Sequence, residues 1–466
     1  MEVTLPVGHN YYEEKPAAEH ELEALFSNDA KLVKRDLFEG MFELTTFNAN
    51  LSKITITNVR SPRVEFEKEE KLILKLYSKQ SNGDLRYYAQ TGLFAGIIYH
   101  KGYRFNISSR YGKVFLRRML NFANDIYVDS DVPASENKKD VNEFQFIIAY
   151  LFLHSLEKAS VVGLPAAYRN KAERTYKFRG KVDMKSYLKN DIPFQGKVST
   201  IIREHTYVQQ IIDVLYQALK ITESSFGTDI NKNLLGIKQV LKENYSGKYI
   251  TNSTLTLAKE HSVLLNPVFA SYRTVLRYAE IIIHNYDLST LKSSNQLSTA
   301  GFLFDISELF EVYLEKLLRL HMKDWTVSAQ TELQIYSKMF YKRKMYPDIV
   351  LHHKKTDEVM VFDAKFRKMD YSRQDLDRED FYQIHTYMQF YGTRLLAGGL
   401  LYPLSRIADS ARSHSPSLFG FSDLRSAFAV DGIHLNSNMC LAEIISQEQL
   451  FIGRLIQLTA ASNKLS

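Results

Sequence analysis

Tyr346–Leu351 reads YPDIVL, and shortly after it Glu358–Phe366 reads EVMVFDAKF. Both runs are short, apolar and rich in strand formers. Asp348 follows Pro347 at the start of the first run. Asp363 and Lys365 stand two apart on the second, so on a strand they project from one face while Ala364 points to the other. If the runs pair, Asp348 reaches the same spot as Asp363. The spacing predicts a hairpin with two carboxylates and an ammonium on one face.

Two carboxylates forced together repel each other unless a divalent cation joins them. Mg²⁺ is the expected ion: it takes hard oxygen ligands and fills its shell with water and phosphate. Asp348 and Asp363 are its expected ligands, with a backbone carbonyl at Ala364 or beside Lys365 as a further oxygen. Such an ion stabilises charge on a phosphate and lowers the pKa of bound water. Lys365 is then a point charge beside the scissile phosphate or the attacking water. A lone D-x-K on a strand usually means two solvated charges. Here Val359, Met360, Val361 and Phe362 precede Asp363, and burying charges at the end of such a run is costly unless they are paired or ligate metal. The reading that follows is metal-assisted phosphodiester hydrolysis.

Other side chains are candidates for support. Gln383 and Tyr387 lie i, i+4 on one helix face and are placed to orient a phosphate or the lysine, unless they are only a polar helix edge. Glu311 flanks an apolar helix stripe, either reaching a metal through water or standing as a surface glutamate. Lys342, Arg343 and Lys344 are expected to clamp a DNA backbone, or to be a solvated charge run. His352 and His353 are adjacent on a strand, face opposite ways, and are assigned no metal.

Outward from the hairpin, Ile306–Leu320 has helical apolar spacing at Ile306, Leu309, Phe310, Tyr313 and Leu317. A charged loop, Arg367–Asp380, leads to a predicted helix over Phe381–Tyr391 and a strand over Leu395–Tyr402. Helix, hairpin strands, helix, strand is the αβββαβ order of a nuclease core. Strands are predicted at Lys53–Val59, Arg63–Glu67 and Lys71–Tyr77, and a hairpin turn at Lys101–Gly102. Helices are predicted at Val114–Ala123, Asn142–Leu156, Val208–Leu219, Asn231–Asn244 and Ala270–His284. Tyr168–Tyr187 carries a turn at Arg179-Gly180-Lys181, and the polar Leu288–Ala300 reads as a linker. The expected fold class is multidomain α+β. Its parts are a β-rich N-terminal module (1–110), a mainly helical region (111–295) and a C-terminal α/β domain (296–466).

The 466 residues are 45% hydrophobic and 24% charged, enough apolar material for packed cores and too long for one. No run has the length of a membrane span, and the N-terminus lacks a secretory pattern. The single cysteine excludes an internal disulfide framework or a cysteine zinc cluster. A cytoplasmic location is the default expectation. The net charge of +7 favours polyanionic partners.

The strings YPDIVL, VFDAKF, DFYQIHTYMQFYG and GGLLYP resemble the nuclease domain of the McrC family, the cleaving subunit of McrBC methylcytosine-dependent restriction systems. Phe302–Leu314 resembles the helix that opens that domain. Gly163–Met184 (GLPAAYRNKAERTYKFRGKVDM) resembles the family's central segment with its R-G-K-V-D turn. The resemblance spans roughly 90 to 435. It departs at the helix after that turn, where a polar, asparagine-containing run is replaced by EHTYVQQIIDVL, and the first ninety residues match nothing placed. It implies a PD-(D/E)xK restriction-endonuclease-like domain and a Mg²⁺-dependent endodeoxyribonuclease acting on modified DNA in anti-phage defence. It also implies docking of the 111–295 region to a hexamer of McrB-like AAA+ GTPase, whose hydrolysis the chain stimulates. The chain has no G-x-x-x-x-G-K-(S/T) loop and is not itself the motor. Two alternatives stay open: a ring-docking activator with a vestigial nuclease, and a stand-alone repair nuclease.

Overall fold

The computed structural model describes residues 2–11, 16, 37–38, 41–49, 53–57, 70–81, 84–125, 143–227, 234–290, 299–336, 343–367, 369, 376–409, 413–415 and 426–462. Over these the protein is a mixed α+β fold with five sheets. It divides into two compact units, residues 1–132 with 293–466, and residues 133–292. The expected strand at Arg63–Glu67, Lys342 and most of the expected linker lie outside the described residues.

The first unit holds a six-stranded sheet in the order Trp325–Ala329, Ile349–His353, Val359–Ala364, Leu395–Leu404, Ala427–His434, His414–Ser415. The hairpin pairing is as the spacing predicts: Ile349 faces Phe362 and Val350 faces Val361 in antiparallel register. Val359–Ala364 then runs parallel to Leu395–Leu404, which runs parallel to Ala427–His434. Every residue of Val359–Ala364 and of Leu395–Leu404 is buried. Near-continuous apolar runs of this kind belong to strands covered on both faces. Gly399 is required by close approach, since a Cβ there would lie 1.8 Å from the Ala429 carbonyl oxygen.

Helices cover this sheet. On one face Val350, Val359, Val361 and Leu400 pack with Ile384, Tyr387, Met388 and Tyr391 of the helix Arg378–Tyr391. Ile306–His321 also packs on the sheet, burying Leu309, Phe310, Tyr313, Leu314, Leu317 and Leu318. Its N-terminus is capped by Asp305, whose carboxylate accepts from the Ser307 and Glu308 amides at 3.0 and 3.2 Å. Arg118 and Glu448, both buried, form a bidentate pair between Lys113–Ala123 and Leu441–Ser462, and the Tyr313 hydroxyl donates to the same carboxylate at 2.7 Å.

A five-stranded sheet in the same unit runs Glu2–Pro6, Tyr103–Ser108, Phe94–His100, Ala300–Asp305, Lys53–Thr57. Phe94–His100 and Tyr103–Ser108 are joined at Lys101–Gly102, both with positive φ, as a two-residue hairpin turn requires. Ala300–Asp305 lies inside this sheet, antiparallel to Phe94–His100 and parallel to Lys53–Thr57. The chain thus returns to the N-terminal sheet after residue 295, and Lys113–Ala123 belongs with it in the first unit. Local periodicity carries no information on such long-range pairing.

The second unit packs the helices Glu143–Ser160, Gln209–Phe226 and Tyr272–Thr290 together. It also carries an antiparallel ribbon, Ala166–Thr175 against Val198–Tyr207, with Lys181–Val182 on its edge. The sequence reading expected only a turn there. The Ala166–Thr175 strand is mostly exposed, so it lacks the alternation that marks a half-buried strand. Gly180 in the R-G-K turn has φ +74°, and a Cβ there would lie 2.4 Å from the Ile201 carbonyl oxygen. No helix among the described residues is long and apolar enough to cross a membrane.

Candidate active site

Asp348 stands where the polypeptide enters Ile349–His353, and Asp363 is the penultimate residue of Val359–Ala364. The antiparallel register brings them to one point. Asp348 Oδ2 accepts from the Ala364 amide at 2.8 Å, and the two carboxyl groups are close enough to interact electrostatically. Burial pushes the Asp348 carboxyl well above the ordinary carboxylate range, and the neighbouring Glu311 and Asp363 push it further. The Ala364 amide and Lys365 oppose this only in part. Burial also raises Asp363, while Lys365 pulls it back. The pair as a whole is shifted upward.

Lys365 leaves the end of the same strand, its amide bonded to the Leu401 carbonyl at 2.9 Å. Its ammonium lies 2.7 Å from Asp363 Oδ2. The approach is off the hydrogen-bonding direction, and this buried oxygen has no regular hydrogen bond among the described residues. Burial works to lower the Lys365 ammonium, yet Asp363, Asp380 and Asp348 hold it above its ordinary range. The ammonium donates to Gln383 Oε1 at 2.9 Å, and the Gln383 amide donates to the Tyr387 hydroxyl at 2.9 Å. Burial pushes the Tyr387 hydroxyl up to about 12, with Asp363 adding to it. The i, i+4 pair therefore faces the strand carboxylates.

Glu311 joins electrostatically, acting on Asp348 from the helix Ile306–His321, and it accepts from Gln330 Nε2 at 3.3 Å. Arg343 and Lys344 stand exposed on a separate two-stranded sheet, Leu333–Ile335 with Arg343–Met345, where Lys344 pairs with Glu332 at 3.2 Å.

Three residues absent from the sequence reading complete the cluster. Asp380, buried in the first turn of Arg378–Tyr391, lies 3.5 Å from the Lys365 ammonium. Its Oδ2 forms a close ion pair with Arg367 and accepts from the Tyr402 hydroxyl at 3.3 Å. Burial works to lower the Arg367 guanidinium, but Asp380 and its other partners hold it above its usual range. A signal for Asp380 was present: Asp380, Gln383 and Tyr387 fall at i, i+3, i+7 on one helix face. Starting the helix at Phe381 left Asp380 in the loop, whereas Asp377 caps the helix by accepting from the Glu379 and Asp380 amides.

The residues present fit a divalent cation. Two converging carboxylates, one with a buried oxygen lacking a regular hydrogen bond, are hard-oxygen ligands of the kind Mg²⁺ takes. Among the described residues no group of three or more His, Cys, Asp or Glu could hold a metal, so the fit is to an ion that keeps water in its shell.

Solved structures resemble the fold. Over 98% of its length the chain matches all of a chain in a half-complex of Thermococcus gammatolerans McrB AAA+ hexamers with bound McrC, at TM-score 0.59 and 13% identity. A second solved structure, the cryo-EM Thermococcus gammatolerans McrBC complex, matches over 69% of this chain and 88% of that one, at TM-score 0.38 and 15% identity. No curated protein matches. The family model described as McrBC 5-methylcytosine restriction system component matches residues 67–403. That span is well over half of the chain and takes in the exposed ribbon, the Asp348–Asp363 hairpin and the Gln383–Tyr387 face, so the chain belongs to the McrBC 5-methylcytosine restriction system component family.

Proposed function

We propose that this chain is the Mg²⁺-dependent endonuclease subunit of a modification-dependent restriction complex, with a PD-(D/E)xK centre at Asp348, Asp363 and Lys365. The observation that carries the reading is half-buried Asp348 beside buried Asp363, with the Lys365 ammonium 2.7 Å from Asp363 Oδ2. Paired acids at the end of a buried strand are unfavourable as a structural feature and suit a site that binds a cation.

Asp348 and Asp363 would hold the ion through their carboxylate oxygens. When bound, the ion supplies charge stabilisation at the phosphate and acidifies a water. Lys365, oriented by Gln383, places a positive charge where charge develops on the phosphate. Tyr387 fixes the Gln383 amide so that its oxygen faces the ammonium. Glu311 keeps the Asp348 side electronegative. Arg343 and Lys344 stand exposed and are suited to contact the DNA backbone.

The partner is a McrB-like AAA+ GTPase hexamer, whose turnover the chain raises. Support comes from the fold shared with a chain of the half-complex of McrB AAA+ hexamers with bound McrC, and from the loop between Ala166–Thr175 and Lys181–Val182 of the second unit, which exposes Tyr176 and Phe178. Exposed aromatics of this size are suited to a protein partner.

The test is nicking of a methylated plasmid with partner, GTP and Mg²⁺ by Asp363→Ala. Cleavage should be abolished while the thermal melt stays near wild type. Cleavage at the wild-type rate would sink the site assignment.

A further inference from the structure

Lys365 and a bound cation compete for Asp363 Oδ2. The ammonium already lies 2.7 Å from that oxygen, and a cation drawn to the same oxygen would meet it at short range. A cation takes that oxygen more readily if another group holds the lysine. Two groups are placed to do so: Gln383 Oε1 at 2.9 Å, which is neutral, and Asp380 Oδ1 at 3.5 Å, which carries charge.

Asp380 is built to be fixed. It is buried on the first turn of its helix, and its Oδ2 is taken up by the Arg367 guanidinium and the Tyr402 hydroxyl. Arg367 is tied in turn to Asp377, the cap of the same helix, at 3.4 Å. These bonds leave Oδ1 directed at the lysine.

We propose that Asp380 is a positioning residue: an immobile counter-charge that retains the Lys365 ammonium and so frees Asp363 for the cation. The inference rests on the proposed metal site. It assigns Asp380 no contact with substrate or metal, and gives Arg367 and Tyr402 the task of holding it. Without Asp380 the ammonium stays on Asp363 and competes with the ion.

The experiment is Mn²⁺ uptake by the full chain, without DNA or partner, followed by the free-ion paramagnetic resonance signal. Wild type, Asp380→Asn, Lys365→Met and the double variant form a cycle. Asp380→Asn should weaken uptake about tenfold or more, about 1.4 kcal/mol or more. Asp380→Glu should retain uptake near wild type. Lys365→Met should strengthen uptake far more in the Asp380→Asn background than in wild type, because only there does the ammonium compete. An additive cycle, or wild-type uptake by Asp380→Asn, overturns the proposal. If Asp380→Asn does not fold because Arg367 is left short of a partner, Asp380→Asn with Arg367→Gln removes both charges and enters the cycle in its place. A wild-type chain whose Mn²⁺ uptake is unaffected by Asp363→Ala would fell the proposed nuclease site itself. Normal Asp363-dependent uptake with an additive cycle fells the positioning role alone.

Discussion

The six-stranded sheet of the first unit and the ribbon of the second use strand pairing to opposite ends. In the sheet, Val359–Ala364 is buried at every position, Asp363 included. In the ribbon, Ala166–Thr175 holds its partner over ten residue pairs yet buries none of its side chains fully. A charge in the sheet therefore needs an explanation, because desolvation is severe there, whereas a charge on the ribbon needs none. The reverse holds for apolar groups. Phe362 in the sheet is ordinary core; Tyr176 and Phe178, in the loop that joins two strands of the ribbon and 73% and 64% exposed, are what call for a partner. Buried polarity marks the candidate chemistry, and exposed apolarity marks the candidate interface.

The contrast can be broken most sharply by truncating one aromatic in each region. Phe362→Ala should cost about 3–5 kcal/mol of stability, and Tyr176→Ala no more than about 0.5 kcal/mol, both read from denaturant melts. Equal losses would mean that the ribbon is held by its own packing after all.

Within the sheet, Lys365→Arg keeps the charge and changes its shape. A planar guanidinium should not fit among Asp363, Asp380 and Gln383 without displacing one of them. Cleavage should fall by roughly two orders of magnitude, with DNA affinity near wild type. Near-normal cleavage would leave a two-carboxylate site in which Lys365 only attracts DNA.

On the ribbon, Phe178→Ser in the full chain should lower stimulation of the partner's GTP turnover about tenfold, as expected for one well-placed interface aromatic. The melting temperature should not change. Full stimulation by that variant would move the interface off the ribbon. Cutting the chain near residue 295 is a poor version of this test, because Ala300–Asp305 is an interior strand of the five-stranded sheet.

The smallest effect is one of pH. Asp348 and Asp363 have folded values raised above their unfolded ones, so in the metal-free protein they bind more protons folded than unfolded. Their contribution is present below the ordinary carboxylate range, near 4, and is lost as pH rises through the raised folded values. Lys365 is also raised, but its loss falls above pH 10, outside that window. Melts of wild type minus Asp348→Asn should therefore decline with rising pH in a chelator and flatten in Mg²⁺. A difference that grows with pH would mean that the carboxylates are stabilised as anions.

Much of the candidate site was legible as local spacing. The two-residue step from Asp363 to Lys365, the P-D at hairpin distance and the i, i+4 step from Gln383 to Tyr387 each follow from strand and helix geometry alone. Asp380 was missed for want of a helix boundary, since the cap at Asp377 is set by side-chain hydrogen bonds rather than by apolar period. Arg367 and Tyr402 come from a loop and a strand whose side chains meet Asp380 only once the sheet forms. The ribbon was missed because its exposed strands carry no apolar alternation.

The sequence by itself determined the secondary elements with a buried face, the hairpin that joins Asp348 to Asp363, and the family, since these rest on short-range periodicity and on residue strings. The tertiary structure alone decided that Ala300–Asp305 returns to the N-terminal sheet, that the Asp348 and Asp363 carboxyls are both pushed upward, and that Lys365 is shared between Asp363, Gln383 and Asp380. Pairing partners distant in the chain are chosen by burial and backbone hydrogen bonding, and carboxyl protonation by desolvation and neighbouring charge. Those are properties of the assembled fold, to which no local pattern is sensitive.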